Sequence, residues 1–298
     1  MQSLYCPKCK EVRTVIRRSI KRNRFQCKEK GHYFTLPSQT KAVKIGVCDI
    51  ETLPMKVYQW SPYSDYASPT QVIQDWCLLS WSFKWLFDTE VMGDVLTPDE
   101  AKNYNDKRIS KSLWELVDEA DIIIFHNGRK FDRRKMNSRF KINGLPPPMP
   151  FRLIDTYEEA KDTFGFSYNK LDWLSKTFGS KGKQENSGWP LWIACAEGNK
   201  ASLKEMLDYN KVDVLELETV YAELLPWMNK HPNLALYSVT NSDGCCSRCL
   251  TKITKKDISG RYPTPQNMYL AYRCPKCSAV GRTNIELLTS AERKNIYR

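Results

Sequence analysis

The alternation of apolar and polar positions is clearest in the middle of the chain. Val43, Ile45 and Val47 alternate with Lys44 and Gly46, which predicts a strand running into Asp49 and Glu51. Residues 76–86 and 90–96 read as two further strands, joined by a tight connection and followed by Pro98. Helical and extended periods then alternate. Residues 112–119 read as a helix, 121–126 (DIIIFH) as a buried strand, 131–141 as a helix and 152–154 as a short strand. Two more helices are predicted, over 171–178 and, much longer, over 202–225. A three-strand meander followed by alternating helices and strands implies an α/β fold, a mixed sheet with helices on its faces.

Two breaks bound this pattern. The polar stretch Pro37-Ser38-Gln39-Thr40-Lys41 precedes it, and His231-Pro232-Asn233 interrupts the last helical period. The chain therefore divides into residues 1–38, 42–230 and 242–298. With 298 residues there is room for one well-buried domain and small additional modules.

Composition adds a class. Hydrophobic residues at 41% and aromatics at 12% are globular values, and no apolar run approaches the roughly 20 residues of a membrane span. Met1-Gln2-Ser3-Leu4-Tyr5-Cys6 lacks a basic region followed by an apolar stretch, so a cytoplasmic location is expected. In such a reducing compartment the 11 cysteines point to zinc thiolates rather than disulfides. Cys6-Pro7-Lys8-Cys9 with Cys27 and His32 offers three thiolates and an imidazole. Cys246-Ser247-Arg248-Cys249 with Cys274-Pro275-Lys276-Cys277 offers four thiolates. Both suit tetrahedral structural zinc and predict a zinc ribbon at each end of the chain. Cys245 is an alternative to Cys246, although only Cys246 keeps the two-residue spacing. Cys48, Cys77 and Cys195 stand alone in apolar surroundings and read as buried small hydrophobes.

Charge is segregated. The net charge is +12, of which residues 1–41 carry +9 and residues 242–298 carry +7, leaving the middle at −4. An acidic centre between basic ends suggests a metal-using core flanked by arms that hold a polyanion, although basic faces also serve solubility. Arg13, Arg17, Arg18, Lys21, Arg22 and Arg24, between the N-terminal metal ligands, are the candidate phosphate contacts. Tyr262, Tyr269 and Tyr272 lie among basic residues, placed either to stack on bases or to fill the small core of the ribbon.

The acidic residues of the centre carry the chemistry. Asp49 and Glu51 are two apart on a strand and project from one face, where two anions repel unless a cation lies between them. In His126-Asn127-Gly128-Arg129-Lys130-Phe131-Asp132 a buried strand ends in an Asn-Gly turn and Asp132 opens a helix, a position where aspartate is also an ordinary N-terminal stabiliser. Tyr209 and Asp213 are four apart on the long helix, on the face continued by Leu217 and Tyr221, so Asp213 is carried inward. Hard oxygen ligands of this kind suit Mg²⁺ or Mn²⁺. Two such ions about 4 Å apart activate water and stabilise a leaving oxygen. Asp155, before a Thr-x-x-Glu pattern, reads as helix initiation, and His126 as structural.

The segments DIET, HNGRKFD and YNKVD, in that order, resemble the three motifs of the DEDD superfamily of 3′–5′ exonucleases. The stretch Asn169-Lys170-Leu171-Asp172-Trp173-Leu174 is similar to a helix of these ribonuclease H-like nucleases. Tyr209 matches the tyrosine subgroup, since the histidine variant places its histidine where Asp208 stands here. The resemblance covers residues 43–225. It implies a ribonuclease H-like fold and two catalytic Mg or Mn ions. Asp49 would bridge both ions, Glu51 and Asp213 would hold one, Asp132 would complete the other, and Tyr209 would orient the attacking water. The implied substrate is the 3′ end of DNA or RNA. Two other readings stay open: an inactive nucleic-acid-binding adaptor, and a zinc-ribbon scaffold that docks onto another protein.

Overall fold

The computed structural model describes residues 2–6, 8–19, 24–35, 43–63, 66–180, 182, 187–237 and 244–296, with backbone alone for 2–6, 12, 15–19, 24, 25, 34 and 35. The N-terminal segment is an antiparallel sheet of β1 (Gln2–Cys6), β2 (Glu11–Ser19), β3 (Arg24–Cys27) and β4 (Tyr33–Thr35) in chain order. The central segment opens with β5 (Ile45–Thr52), a small hairpin of β6 (Lys56–Val57) and β7 (Val72–Gln74), then β8 (Leu78–Trp85) and β9 (Met92–Val95). α1 (Pro98–Lys102) and α2 (Lys107–Glu119) lead to β10 (Ile122–Phe125), α3 (Asp132–Ile142), β11 (Arg152–Asp155) and α4 (Thr156–Thr163). α5 (Leu171–Thr177), α6 (Trp189–Ala196) and α7 (Lys200–Leu224) complete it.

The central sheet has the order β11-β10-β5-β8-β9. β10 runs parallel to β5 and β11, and β8 runs antiparallel to β5 and β9. This is the mixed sheet flanked by helices that the periodicity predicts. The apolar run of β10 is fully buried at all four positions, as expected of a parallel strand covered on both faces. β5 instead alternates. Ile45 and Val47 pack with the C-terminal half of α7, α4 and α5, whereas Cys48 and Ile50 pack with α2 and α3 on the opposite face. By the same period Asp49 and Glu51 continue the face that α7 covers. Cys48, Cys77 and Cys195 are buried among apolar neighbours, as read.

The helix starts differ from the sequence reading for local reasons. α7 begins two residues earlier, where the Asn199 side chain caps the Ala201 and Ser202 amides. α2 begins at Lys107, and Asp106 occupies its N-cap position without capping it. Its carboxylate is committed elsewhere. It accepts Arg139 Nε at 2.6 Å and Arg139 Nη2 at 2.8 Å, the Asn143 amide at 2.8 Å and the Leu78 N–H at 2.8 Å. One buried carboxylate thus ties together α2, α3 and the first residue of β8.

The C-terminal segment is an antiparallel sheet of β12 (Ile258–Pro263), β13 (Met268–Arg273) and β14 (Val280–Glu286), followed by α8 (Ser290–Lys294). It is joined to the central segment by Arg248, whose guanidinium donates to the Leu225 and Pro226 carbonyls at 2.9 and 2.5 Å. Among the described residues no helix is long and apolar enough to cross a membrane.

Removing one partner of a buried bidentate ion pair strands the other charge at a cost of about 3–5 kcal/mol. Arg139→Met is therefore expected to destabilise the protein by that amount in urea unfolding. Asp106→Asn combined with Arg139→Met, which removes the stranded charge and keeps an acceptor for the Leu78 amide, is expected to recover part of it. A single variant as stable as the wild type would contradict this role.

Candidate active site

At the end of β5 the carboxylate oxygens of Asp49, Glu51 and Asp213 all lie within 4.8 Å of one another. Asp213 comes from the middle of α7 and is fully buried. The strand register explains the space for them. Asp49 pairs with Ser82 and Glu51 with Ser80, both fully buried, so the cross-strand neighbours are the smallest hydroxyl side chains. One strand further, Ser82 pairs with Gly93, where an added Cβ would come within 2.9 Å of Leu207 Cδ1 and 3.0 Å of Ser82 Oγ. A larger residue here would have to displace the Leu207 and Lys211 side chains of α7.

Asn210 is a site residue that the sequence reading leaves without a role. Fully buried, it donates from Nδ2 to Asp49 Oδ2 at 2.5 Å and accepts from Ser80 Oγ at 3.4 Å. It stands three residues before Asp213, hence on the same helix face, and that spacing was the available signal. Tyr209 lies one turn before Asp213 and is nearly buried, its ring part of the core with Met206 and Leu203.

Asp132, the first residue of α3, is also nearly buried but stands outside the group of three. Its influence reaches the same region. Burial pushes the Cys48 thiol well above its ordinary pKa, and the charges of Asp132 and Asp49 push it the same way. The turn that delivers Asp132 is tightly specified. Asn127 has a φ of 64°, and a Cβ on Gly128 would fall 2.2 Å from Phe125 Cβ. Asp155 clamps this turn by accepting the Asn127 and Arg129 amides at 2.8 and 3.0 Å. It also caps α4 through the Tyr157 and Glu158 amides, so the helix-initiation reading covers half of what it does. His126 bonds Thr156 Oγ1 and the Asn169 carbonyl, both at 2.9 Å.

The three clustered acids suit a hard divalent cation. Their oxygens converge, and their mutual repulsion at this separation favours an ion between them.

At the C-terminal end, Cys246, Cys249, Cys274 and Cys277 form a second group. Sγ–Sγ separations of 3.7 Å (Cys246–Cys277) and 3.5 Å (Cys249–Cys274) are close to the edge of a tetrahedron with zinc–sulfur bonds, about 3.8 Å. The group is compatible with a zinc ribbon, and it includes Cys246 rather than Cys245. Tyr272 packs against Cys246 and Cys274 inside the ribbon, while Tyr269 lies 4.2 Å beneath the Arg282 guanidinium. At the N-terminal end, Cys9 Sγ is 3.9 Å from Cys27 Sγ and 3.4 Å from His32 Nδ1. The Cys6 side chain lies outside the described residues. So do those of Arg17, Arg18 and Arg24, and Lys21 and Arg22 entirely. Arg13 is held by Glu11 at 2.7 Å and by Glu29.

The sheet order, the helices on both faces and the carboxylates at the end of β5 define a ribonuclease H-like fold. Residues 89–225 match the family model described as RNase_H superfamily. That match supports a nuclease-type activity in general terms. Among solved structures, the chain is similar to the family B DNA polymerase from the hyperthermophilic archaeon Pyrobaculum calidifontis, with a TM-score of 0.48 and 16% identity. The similarity covers 69% of this chain and 26% of that one, so this chain spans about a quarter of the polymerase's length. No curated protein sequence matches.

Neutralising one of three crowded acids relieves repulsion. In a chelating buffer Asp213→Asn is therefore expected to melt no lower than wild type. Added Mn²⁺ should raise the melting temperature of wild type, by mass action on the folded state, and leave the variant unmoved. Equal responses of the two proteins would argue against a cation at these residues.

Proposed function

We propose that the protein is a 3′–5′ exonuclease that hydrolyses terminal phosphodiester bonds of DNA or RNA. The observation that carries this reading is the convergence of Asp49, Glu51 and Asp213 on the α7 face of a ribonuclease H-like sheet. Asp49, Glu51, Asp213 and Asp132 would hold two Mg²⁺ or Mn²⁺ ions, which supply Lewis-acid stabilisation of the leaving oxygen and a more acidic attacking water. The chain's own groups have separate tasks. Asn210 fixes the orientation of the Asp49 carboxylate through its amide. Tyr209 aims its hydroxyl at the attacking water and orients it for in-line displacement. Asp155 fixes the turn that delivers Asp132.

The ends serve binding in this reading. Zinc held by Cys246, Cys249, Cys274 and Cys277, and by Cys6, Cys9, Cys27 and His32, stiffens two basic ribbons that contact phosphates. Residues 1–41 and 242–298 carry 22 of the 46 lysines and arginines. The 3′ polarity rests on the resemblance of the three motifs, since clustered carboxylates also serve endonucleases.

End-labelled oligonucleotides test the reading directly. Wild type with Mg²⁺ or Mn²⁺ is expected to shorten strands from the 3′ end, to stall at a 3′-phosphorothioate and to ignore a 5′ block. Asp49→Ala should abolish cleavage. Cleavage of a closed circular single strand would refute the polarity, and wild-type turnover in Asp49→Ala would refute the site.

Tyr209→Phe separates an oriented water from mere packing. Loss of the hydroxyl is expected to lower kcat about 10- to 100-fold with little change in KM. Undiminished turnover would leave Tyr209 a core residue only.

A further inference from the structure

The connection between β5 and β8 displays an unusual surface. Trp60 is fully exposed, and Tyr58, Tyr63 and Tyr66 are 77, 92 and 74% exposed. Met55 and Ile73 flank them, also exposed. Large rings left this open forgo the stabilisation that burial would give them. Four of them on one loop is therefore a cost that a purely structural connection would not carry.

The stem of this loop is fixed. Leu53 N–H bonds the Cys77 carbonyl at 2.9 Å, and Tyr58 N–H bonds the Gln71 carbonyl at 3.0 Å. β6 pairs with β7, the Tyr104 hydroxyl donates to the Pro54 carbonyl at 3.1 Å, and Lys56 Nζ sits 4.9 Å over the Tyr104 ring. The loop springs from Thr52, the residue next to Glu51. An anchored stem thus carries the rings from the same strand that carries the carboxylates.

We propose that Tyr58, Trp60, Tyr63 and Tyr66 form a base-stacking arm that binds the unpaired bases of a nucleic-acid strand leading into the site. The proposal rests on the nucleic-acid reading above. Gln59 and Ser61 alternate with Tyr58 and Trp60 along the chain, so the rings are spaced by polar residues rather than merged into one continuous apolar run. Residues 53–66 hold one lysine, Lys56, and one acid, Asp65, so this stretch is neutral overall and lacks the acidic run that would repel a polyanion. Every base offers a π-face, and indole and phenol rings bind such faces without sequence preference.

Binding measured without added Mg²⁺ or Mn²⁺, and without a chelator that would strip zinc from the cysteine clusters, tests the arm with the full chain. Fluorescence anisotropy would compare an unstructured single-stranded oligonucleotide with an abasic strand of the same length. Trp60→Ala and Tyr63→Ala are each expected to weaken binding of the normal strand about 5- to 100-fold. Neither should change the melting temperature, because these rings are exposed. Trp60→Phe should keep most of the affinity, whereas Trp60→Leu, apolar without a π-face, should not. The abasic strand should bind wild type weakly and be indifferent to the substitutions. Wild-type affinity in both alanine variants, or equal affinity of wild type for normal and abasic strands, would overturn the proposal and favour a protein-docking loop. The outcome is separable from the hydrolytic reading. An Asp49→Ala protein that still cleaves would defeat that reading while leaving ring-dependent binding intact.

Discussion

Electrostatic repulsion among Asp49, Glu51 and Asp213 is the constraint around which the central segment is organised. Three carboxylates within 4.8 Å push one another apart, so the scaffold must hold each from a position that cannot yield. β5 meets this need by lying in the interior of the sheet, paired with β10 over Ile45–Val47 and with β8 from Gly46 through Thr52. α7 meets it by burying side chains along most of its length, from Leu203 to Leu224. Lys84 adds an ion pair between β8 and Glu218 of α7, both oxygens within 2.7 Å of its Nζ. Asn210 then restrains the Asp49 carboxylate.

What was legible in the sequence is what depends on local period. The β5 alternation put Asp49 and Glu51 on one face, the Tyr209 to Asp213 spacing put two motif residues on one turn, and the DIIIFH run announced a strand buried on both sides. What escaped depends on register or on distant partners. Ser80 and Ser82 matter because of the residues opposite them, which no single segment reveals. The start of α2 was hidden because Asp106 gives its carboxylate to Arg139, 33 residues away, instead of to its own helix. The second task of Asp155 was hidden for the same reason. The exposed rings of residues 58–66 went unread because aromatic residues are ordinarily taken as core.

Connectivity also explains why chemistry gathers at one end of the sheet. β5, β10 and β11 run parallel, so their C-terminal ends open onto the same side. Asp49 and Glu51 end β5, the Asn127-Gly128 turn follows β10, and Asp155 ends β11. In open α/β sheets, ligands bind outside the carboxyl ends of the strands. Here Asp155 cross-links the ends of β10 and β11, so the turn that leads to Asp132 and the start of α4 share one hydrogen-bonded frame.

Arg248 gives the C-terminal knuckle a mechanical part in this frame. The last turn of any helix leaves carbonyl groups without intrahelical donors and is the first to fray. In α7 a guanidinium from between the paired thiols of Cys246 and Cys249 takes up the carbonyls just past Leu224, where its positive charge also complements the helix dipole. The thiolate cluster is therefore coupled to the order of the helix that carries Asp213. A chain ending before Arg248 would expose that terminus to water, and opening would start eleven residues from a carboxylate of the site.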